Sequence, residues 1–200
     1  MHAGAGRLQA TVDAGLALGF EHKLTPAQIV ECEVGIPKVV QGRLTQLDPP
    51  DLQSAQLSIP FSLAMALGLG RTRGAQTSLR TGDYENALKN AEVRAMSNRS
   101  RCVLDAWVEA GTNTEEVPTR VTIKLTSGAT HELKIAHPRG SPHRRMAWDE
   151  LVALFNDSVG DALPADRCDK VQKLVAALDQ GSSVRELMQA FVATPAWLAK

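Results

Sequence analysis

The sequence lacks any imbalance of charge, since 22 acidic residues meet 22 basic ones in 200. That removes the electrostatic argument for a nucleic-acid or anionic-membrane partner, so any anion handled by the chain is bound locally. No apolar run approaches the roughly 20 residues that span a bilayer, and the N-terminus lacks the basic-then-apolar layout of a secretory signal. A cytoplasmic protein with no membrane partner is the expectation. The three cysteines, Cys32, Cys102 and Cys168, are odd in number and lack any Cys-x-x-Cys pairing, which excludes a disulfide framework. Reduced thiols follow, with Cys32 and Cys102 as small buried hydrophobes inside strand-like runs. No glycine-rich phosphate loop is present, and His2, His22, His131 and His137 lack metal-ligand spacing. Neither an organic cofactor nor a metal is expected.

What the chain does have is 44% hydrophobic and 22% charged residues, enough apolar side chain for one or two globular domains with real cores. Its most informative segment is residues 54–70. Ser58 stands at a helix N-cap position and Pro60 fits the first turn, where its missing N–H costs nothing. Phe61, Leu63, Ala64, Met65, Ala66, Leu67 and Leu69 then wrap around the helix, predicting burial on most sides until Gly68 and Gly70 end it. The N-terminus of such a helix, with free N–H groups, suits a carboxylate.

Around this helix the pattern changes several times. Apolar spacing predicts a helix over residues 8–20, beginning very close to Met1. Thr25-Pro26-Ala27-Gln28 reads as a capped turn leading into a strand over 29–34, and residues 37–51 read as a loop. Residues 71–83 read as an exposed connection, 84–97 as a helix and 103–110 as a strand. Residues 120–126 and 130–135 alternate cleanly about Ser127-Gly128, the clearest hairpin in the chain. A basic loop, His137-Pro138-Arg139-Gly140-Ser141-Pro142-His143-Arg144-Arg145, closes it. Helices are then predicted over 148–159, 166–178 and 184–191, with Trp197 packing at the tail.

The fold class is therefore α+β: a small mixed α/β domain with an antiparallel sheet, flanked by helices that form a separate layer. The expected organisation is a first helix over 1–22 belonging to a helical domain, an α+β domain over 23–140, and C-terminal helices over 141–200. The outer helices make a bundle with few partners, so a missing upstream portion is expected.

Four blocks carry a family resemblance: Gln9-Ala10-Thr11-Val12-Asp13-Ala14; Ala55-Gln56-Leu57-Ser58-Ile59-Pro60-Phe61; the hairpin; and His137-Pro138-Arg139-Gly140-Ser141-Pro142 followed by Trp148-Asp149-Glu150-Leu151. In this order and spacing the chain resembles the C-terminal portion of the MmgE/PrpD proteins, which include methylcitrate dehydratases, aconitate decarboxylases and iminodisuccinate epimerases. The resemblance implies a two-domain enzyme, with a large helical domain and a smaller α+β lid. It implies chemistry on a small di- or tricarboxylate by proton abstraction next to a carboxylate, of lyase or isomerase type. The first block in relatives runs Lys-x-Tyr/Phe-x-x-Cys/His-x-x-x-His with an Asp four residues on. Aligning Asp13 with that Asp puts Gln9 at the last His, Ala5 at the Cys/His and the lysine one residue before Met1. His2 takes an aromatic position, and Phe61 aligns where several relatives place a tyrosine.

The resemblance implies Gln9, Ser58, Phe61 and Arg139 as substrate-binding residues and leaves the catalytic residues unknown. Arginine binds carboxylates through two parallel hydrogen bonds, which draws Arg139, with His143, Arg144 and Arg145 beside it, into a polycarboxylate clamp; a solvated basic loop is the competing reading. A chain with at most half of such a site is expected to be inactive alone. The alternative is a non-catalytic binding or scaffold module that pairs with a separate N-terminal half or self-associates as a homodimer.

Overall fold

The structure, a computed structural model, describes residues 2–159 and 162–192. The tail tryptophan, Trp197, lies outside the described residues. The chain divides into two compact units, Met1–Arg145 and Met146–Lys200.

The first unit is α+β. In chain order it contains α1 (Gln9–His22), β1 (Ile29–Ile36), α2 (Leu52–Gln56), α3 (Ile59–Arg73), α4 (Thr81–Leu88), α5 (Ala91–Asn98), β2 (Ser100–Leu104), α6 (Ala106–Gly111), β3 (Thr119–Leu125) and β4 (Thr130–Ile135). The strands form one sheet in the order β2-β1-β3-β4. The expected antiparallel pairing holds for β1 with β3 and β3 with β4, whereas β2 runs parallel to β1. A parallel neighbour needs a long crossover, and the helices between β1 and β2 supply it.

The sheet has a dry face and a wet one. Cys32, Val34, Val121 and Ile123 are fully buried, on the side where α1 packs against α3 and against β3 and β4. Between them, Glu31, Glu33, Arg101, Arg120, Lys124 and Glu132 form a ladder of cross-strand ion pairs on the outer face, with Arg120 3.0 Å from Glu33 and 2.6 Å from Asp105. This is the period-2 alternation of a half-buried sheet.

The α1–α3 pair fills the centre of the unit, and glycine sets how closely the two helices approach. A Cβ at Gly70 would lie 2.1 Å from the Leu16 carbonyl oxygen, and one at Gly19 would lie 2.1 Å from that of Leu67. These helices touch through their backbones. The expectation that Gly68 and Gly70 end the third helix is therefore overturned: α3 runs to Arg73 and stops at Gly74, where φ is 103°. Gly70 is a contact residue, not a terminator. Burial on most sides does hold, with Ile59 to Leu67 all enclosed.

Two further expectations give way to caps hidden inside apolar runs. The single helix expected over 84–97 is two, because Asn90 accepts from the N–H groups of Glu92 and Val93 and restarts the chain as α5. The strand expected over 103–110 is β2 from Ser100 to Leu104, after which Asp105 accepts from Trp107 and Val108 N–H and starts α6. A short polar side chain that satisfies first-turn donors overrides weak strand propensity. The Thr25–Gln28 turn, β1 and the hairpin stand where the sequence pattern puts them, with Gly128 at φ 85° in the hairpin turn.

The second unit contains α7 (Trp148–Val159), α8 (Ala165–Ala176) and α9 (Val184–Phe191). Ser183 caps α9, and the Phe155 and Phe191 rings meet edge to face with centroids 6.4 Å apart. Along α9, Val184 and Met188 stay 63% and 61% exposed.

The glycine contact is directly testable. Gly70→Ala is expected to destabilise the chain by about 3 kcal/mol or more in urea unfolding, because backbone must move to admit the methyl. Gly68→Ala, whose Cβ meets nothing within 4 Å, is expected to leave stability unchanged or raise it by about 0.5–1 kcal/mol.

Candidate functional site

The polar centre of the first unit grows from the N-terminal segment that precedes α1. Ala3 N–H donates to the Leu79 carbonyl at 2.8 Å and Ala5 N–H to that of Gln56 at 3.0 Å, strapping residues 2–5 onto the body. Gln9 locks the strap: His2 N–H donates to Gln9 Oε1 at 2.8 Å while Gln9 Nε2 returns to the His2 carbonyl at 3.1 Å. His2 is thereby held over α1, where its Nε2 meets Asp13 Oδ1 at 2.9 Å. Both side chains are enclosed, at 1% and 7% exposure.

The other ring nitrogen fixes the tautomer. Leu79 N–H donates to His2 Nδ1 at 3.2 Å, so Nδ1 accepts and Nε2 carries the proton that goes to Asp13. A second proton on the ring would set N–H against N–H. Burial lowers the His2 pKa below its ordinary 6.5, outweighing the hydrogen bond and charge of Asp13 that raise it. For Asp13, burial acts upward, but the hydrogen bonds from His2 and from the Arg139 N–H, with the charge of Arg144, hold the carboxyl below its ordinary 3.8. The contacts of Arg139 and Arg144 come from the basic loop. Arg139 N–H donates to Asp13 Oδ2 at 2.6 Å and Arg144 Nη1 lies 3.3 Å from the same oxygen.

The four sequence-predicted binding residues fall in two groups. Gln9 and Arg139 converge on the His2–Asp13 pair, Gln9 as the brace of the strap and Arg139 through its backbone, while the Arg139 guanidinium donates to the Gln76 carbonyl at 2.8 Å. Ser58 and Phe61 lie at the start of α3 and are both fully enclosed. Ser58 caps the helix by accepting from Phe61 N–H at 3.0 Å, and its hydroxyl donates to the Gln46 carbonyl at 2.5 Å. Ile59 N–H is taken by the Leu44 carbonyl, Ser62 N–H by that of Ser58, and Pro60 has none. The free donors expected at this helix end are thus all consumed inside the chain. Beside Phe61, the Ser62 hydroxyl pairs with Tyr84 at 2.9 Å, and burial pushes the Tyr84 pKa up to about 12.

A second cluster also involves the basic loop. Glu116 is covered by its neighbours, at 3% side-chain exposure, and meets His137 Nδ1 at 2.9 Å and His143 Nδ1 at 3.0 Å. The turn that carries it is rigid, since Asn113 Oδ1 accepts from the N–H groups of Glu115 and Glu116 at 2.8 Å each. The nearby Ser141 hydroxyl acts on Glu116 most strongly, although its own geometry completes no hydrogen bond. With the two imidazoles, it holds the Glu116 carboxyl down at about 2. Sequence spacing hides this cluster, because its members stand 21 and 27 residues from Glu116. The His2–Asp13 pair did leave a signal: an acid amid Ala10, Val12, Ala14 and Leu16 on an otherwise apolar helix needs a partner.

Residues 2–180 match the model of the MmgE/PrpD C-terminal domain. The chain belongs to the MmgE/PrpD family. No curated protein matches it. In this MmgE/PrpD chain the four blocks of the resemblance map onto α1, the α2–α3 junction, the hairpin, and the basic loop with the start of α7. No helix among the described residues is long and apolar enough to cross a membrane. The thiols are free; burial raises Cys32 and Cys102 to about 12, which leaves them protonated at neutral pH.

The buried pair makes stability depend on acid. Below pH 6.5 the unfolded chain takes up a proton on His2 that the folded chain resists, so unfolding free energy falls as pH drops through that range. Asp13, also depressed, adds a further loss below its ordinary 3.8. Urea unfolding is expected to show stability declining as pH falls below 6.5, and His2→Gln is expected to flatten that part of the profile. An unchanged slope in His2→Gln would assign the effect elsewhere.

Proposed function

We propose that this chain is the C-terminal part of a cytoplasmic MmgE/PrpD-type enzyme that acts on a small di- or tricarboxylate by proton abstraction next to a carboxylate. Dehydration and epimerisation begin with that step, while decarboxylation breaks the bond to the carboxylate and needs a proton delivered to the carbon left behind, so all three depend on a positioned acid–base group. We propose further that the acid–base groups come from outside the described residues, so that the chain is inactive alone. One observation carries this reading. At the positions where the resemblance implies a Cys or His and a second His, Ala5 and Gln9 offer no titratable group, and both ring nitrogens of the neighbouring His2 are engaged within the fold. A base must reach the proton it removes, and none of these three residues is free to do so.

The chain's contribution in this reading is position and charge. Arg139 supplies a guanidinium braced on the Gln76 carbonyl, and Gln9 fixes the strap behind it. Ser58 and Phe61, enclosed at the start of α3, contribute to the frame rather than to a contact with substrate. The apolar side of α9, with Val184, Met188 and Phe191 at i, i+4 and i+7, supports the same reading, because a domain that works within a larger enzyme keeps such a face for the rest of it.

Purified chain assayed with citrate-like, aconitate-like and aminodisuccinate-like substrates is expected to turn over none of them above background. The N-terminal half of an MmgE/PrpD enzyme, added as a second polypeptide, is expected to raise turnover at least about 100-fold, the contribution of a positioned acid–base pair. Robust turnover by the chain alone overturns the proposal.

A further inference from the structure

We propose that Glu116, His137 and His143 form a binding site for one divalent transition-metal ion of the zinc class. Their donor atoms all lie within 4.8 Å of one another. The separations fit a coordination shell: His137 Nδ1 and His143 Nδ1 stand 2.9 and 3.0 Å from Glu116 Oε2. Two donors each about 2.1 Å from a zinc-class ion, at tetrahedral to octahedral angles, lie about 3.0–3.4 Å apart. Two imidazole nitrogens with one carboxylate oxygen is a set that borderline first-row ions prefer, and one that magnesium and calcium do not.

The supporting frame is also present. Glu116 sits on the turn fixed by Asn113, and the loop carrying both histidines is closed by the Gly140 N–H to Arg144 carbonyl bond at 2.8 Å. Backbone on both sides is thus set before any ion arrives, which lowers the cost of ordering the ligands. The histidine side chains are 45% and 61% exposed, so an ion has a path in and keeps open positions for water or an anion. Ser141 adds an independent sign. Its hydroxyl is buried, has no hydrogen-bond partner and lies beside Glu116. Turned toward the carboxylate, that hydroxyl would donate to it and orient it toward an ion, the supporting role that outer residues play at metal sites. The rings of His137 and His143, 4.5 Å apart and tilted by 30°, converge on the carboxylate without stacking flat.

The untagged full chain, titrated with Co2+ by visible absorption and with Zn2+ by competition against a chromophoric chelator, is expected to bind one equivalent at micromolar concentration or tighter. His137→Asn and His143→Asn, both at exposed side chains, are each expected to weaken binding at least about tenfold, the scale set by even the outer residues of metal sites. Circular dichroism is expected to show both variants folded. His131→Asn is expected to leave binding unchanged, which matters because His131 stacks on His22 at 3.7 Å and offers a rival pair of imidazoles. Absence of saturable binding overturns the proposal and leaves a histidine–carboxylate hydrogen-bond cluster only. Binding that survives both substitutions, or that His131→Asn abolishes, overturns it equally.

Discussion

Where α1 crosses α3, backbone meets backbone. Gly19 faces the Leu67 carbonyl and Gly70 faces that of Leu16, and at Gly15 a Cβ would lie 2.8 Å from the Ala66 methyl. Small residues let two helices approach more closely than ordinary packing allows. The rest of the first unit follows from that distance. With α3 pressed against one side of α1, the other side meets β3 and β4, where Thr11 and Thr119 join their hydroxyls at 3.1 Å. The N-terminal end of α1 is then delivered to the top of this layer, with Asp13 directed at the strap and at the basic loop. A looser crossing would shift α1 against the sheet and carry Asp13 away from His2.

Two covered carboxylates hold the basic loop. Asp13 takes the Arg139 N–H and the Arg144 guanidinium, and Glu116 takes His137 and His143. Exposed ion pairs are worth little, but a hydrogen bond to a charged group under cover is worth about 1.5–3 kcal/mol, so the Asp13 contacts count and the outer ladder on the sheet counts less. The two reading choices offered by the sequence, a ligand clamp or a solvated basic loop, both treated these residues as facing outward. The structure leaves the His137, His143 and Arg144 side chains exposed but ties the loop, partly through the Arg139 backbone, to acids that stand more than 100 residues away for Asp13 and at most 27 away for Glu116.

This difference explains what was legible beforehand. The hairpin, the Ser58 cap and the helix at 148–159 are written in local pattern: alternation, a hydroxyl before Pro60, apolar spacing. Gly70 was not legible, because glycine signals a helix end when read along the chain and a helix contact only when the second helix is known. Asn90 and Asp105 were legible in principle as caps, but each sits in a run whose apolar content suggested continuity. Asp13 announced a partner without naming it. Glu116 announced nothing, since an acid before Val117-Pro118 in a polar turn is ordinary, and only folding brings two imidazoles to it.

Kinship and chemistry are therefore carried by different atoms in this chain. Ser58 spends its hydroxyl on Phe61 N–H and the Gln46 carbonyl, Phe61 is wholly enclosed, and Gln9 spends its amide on the N-terminal strap. Each belongs to a block by which the family is recognised, and in this chain each is committed to building the frame. Frame residues are constrained by packing and by buried hydrogen bonds, which penalise change at every such position by a kcal/mol or more. Reacting groups are constrained only where the reaction still occurs. A chain can thus hold these frame residues in place while Ala5 and Gln9 stand where the resemblance implies a Cys or His and a second His, and the match over residues 2–180 speaks for the frame rather than for a reaction.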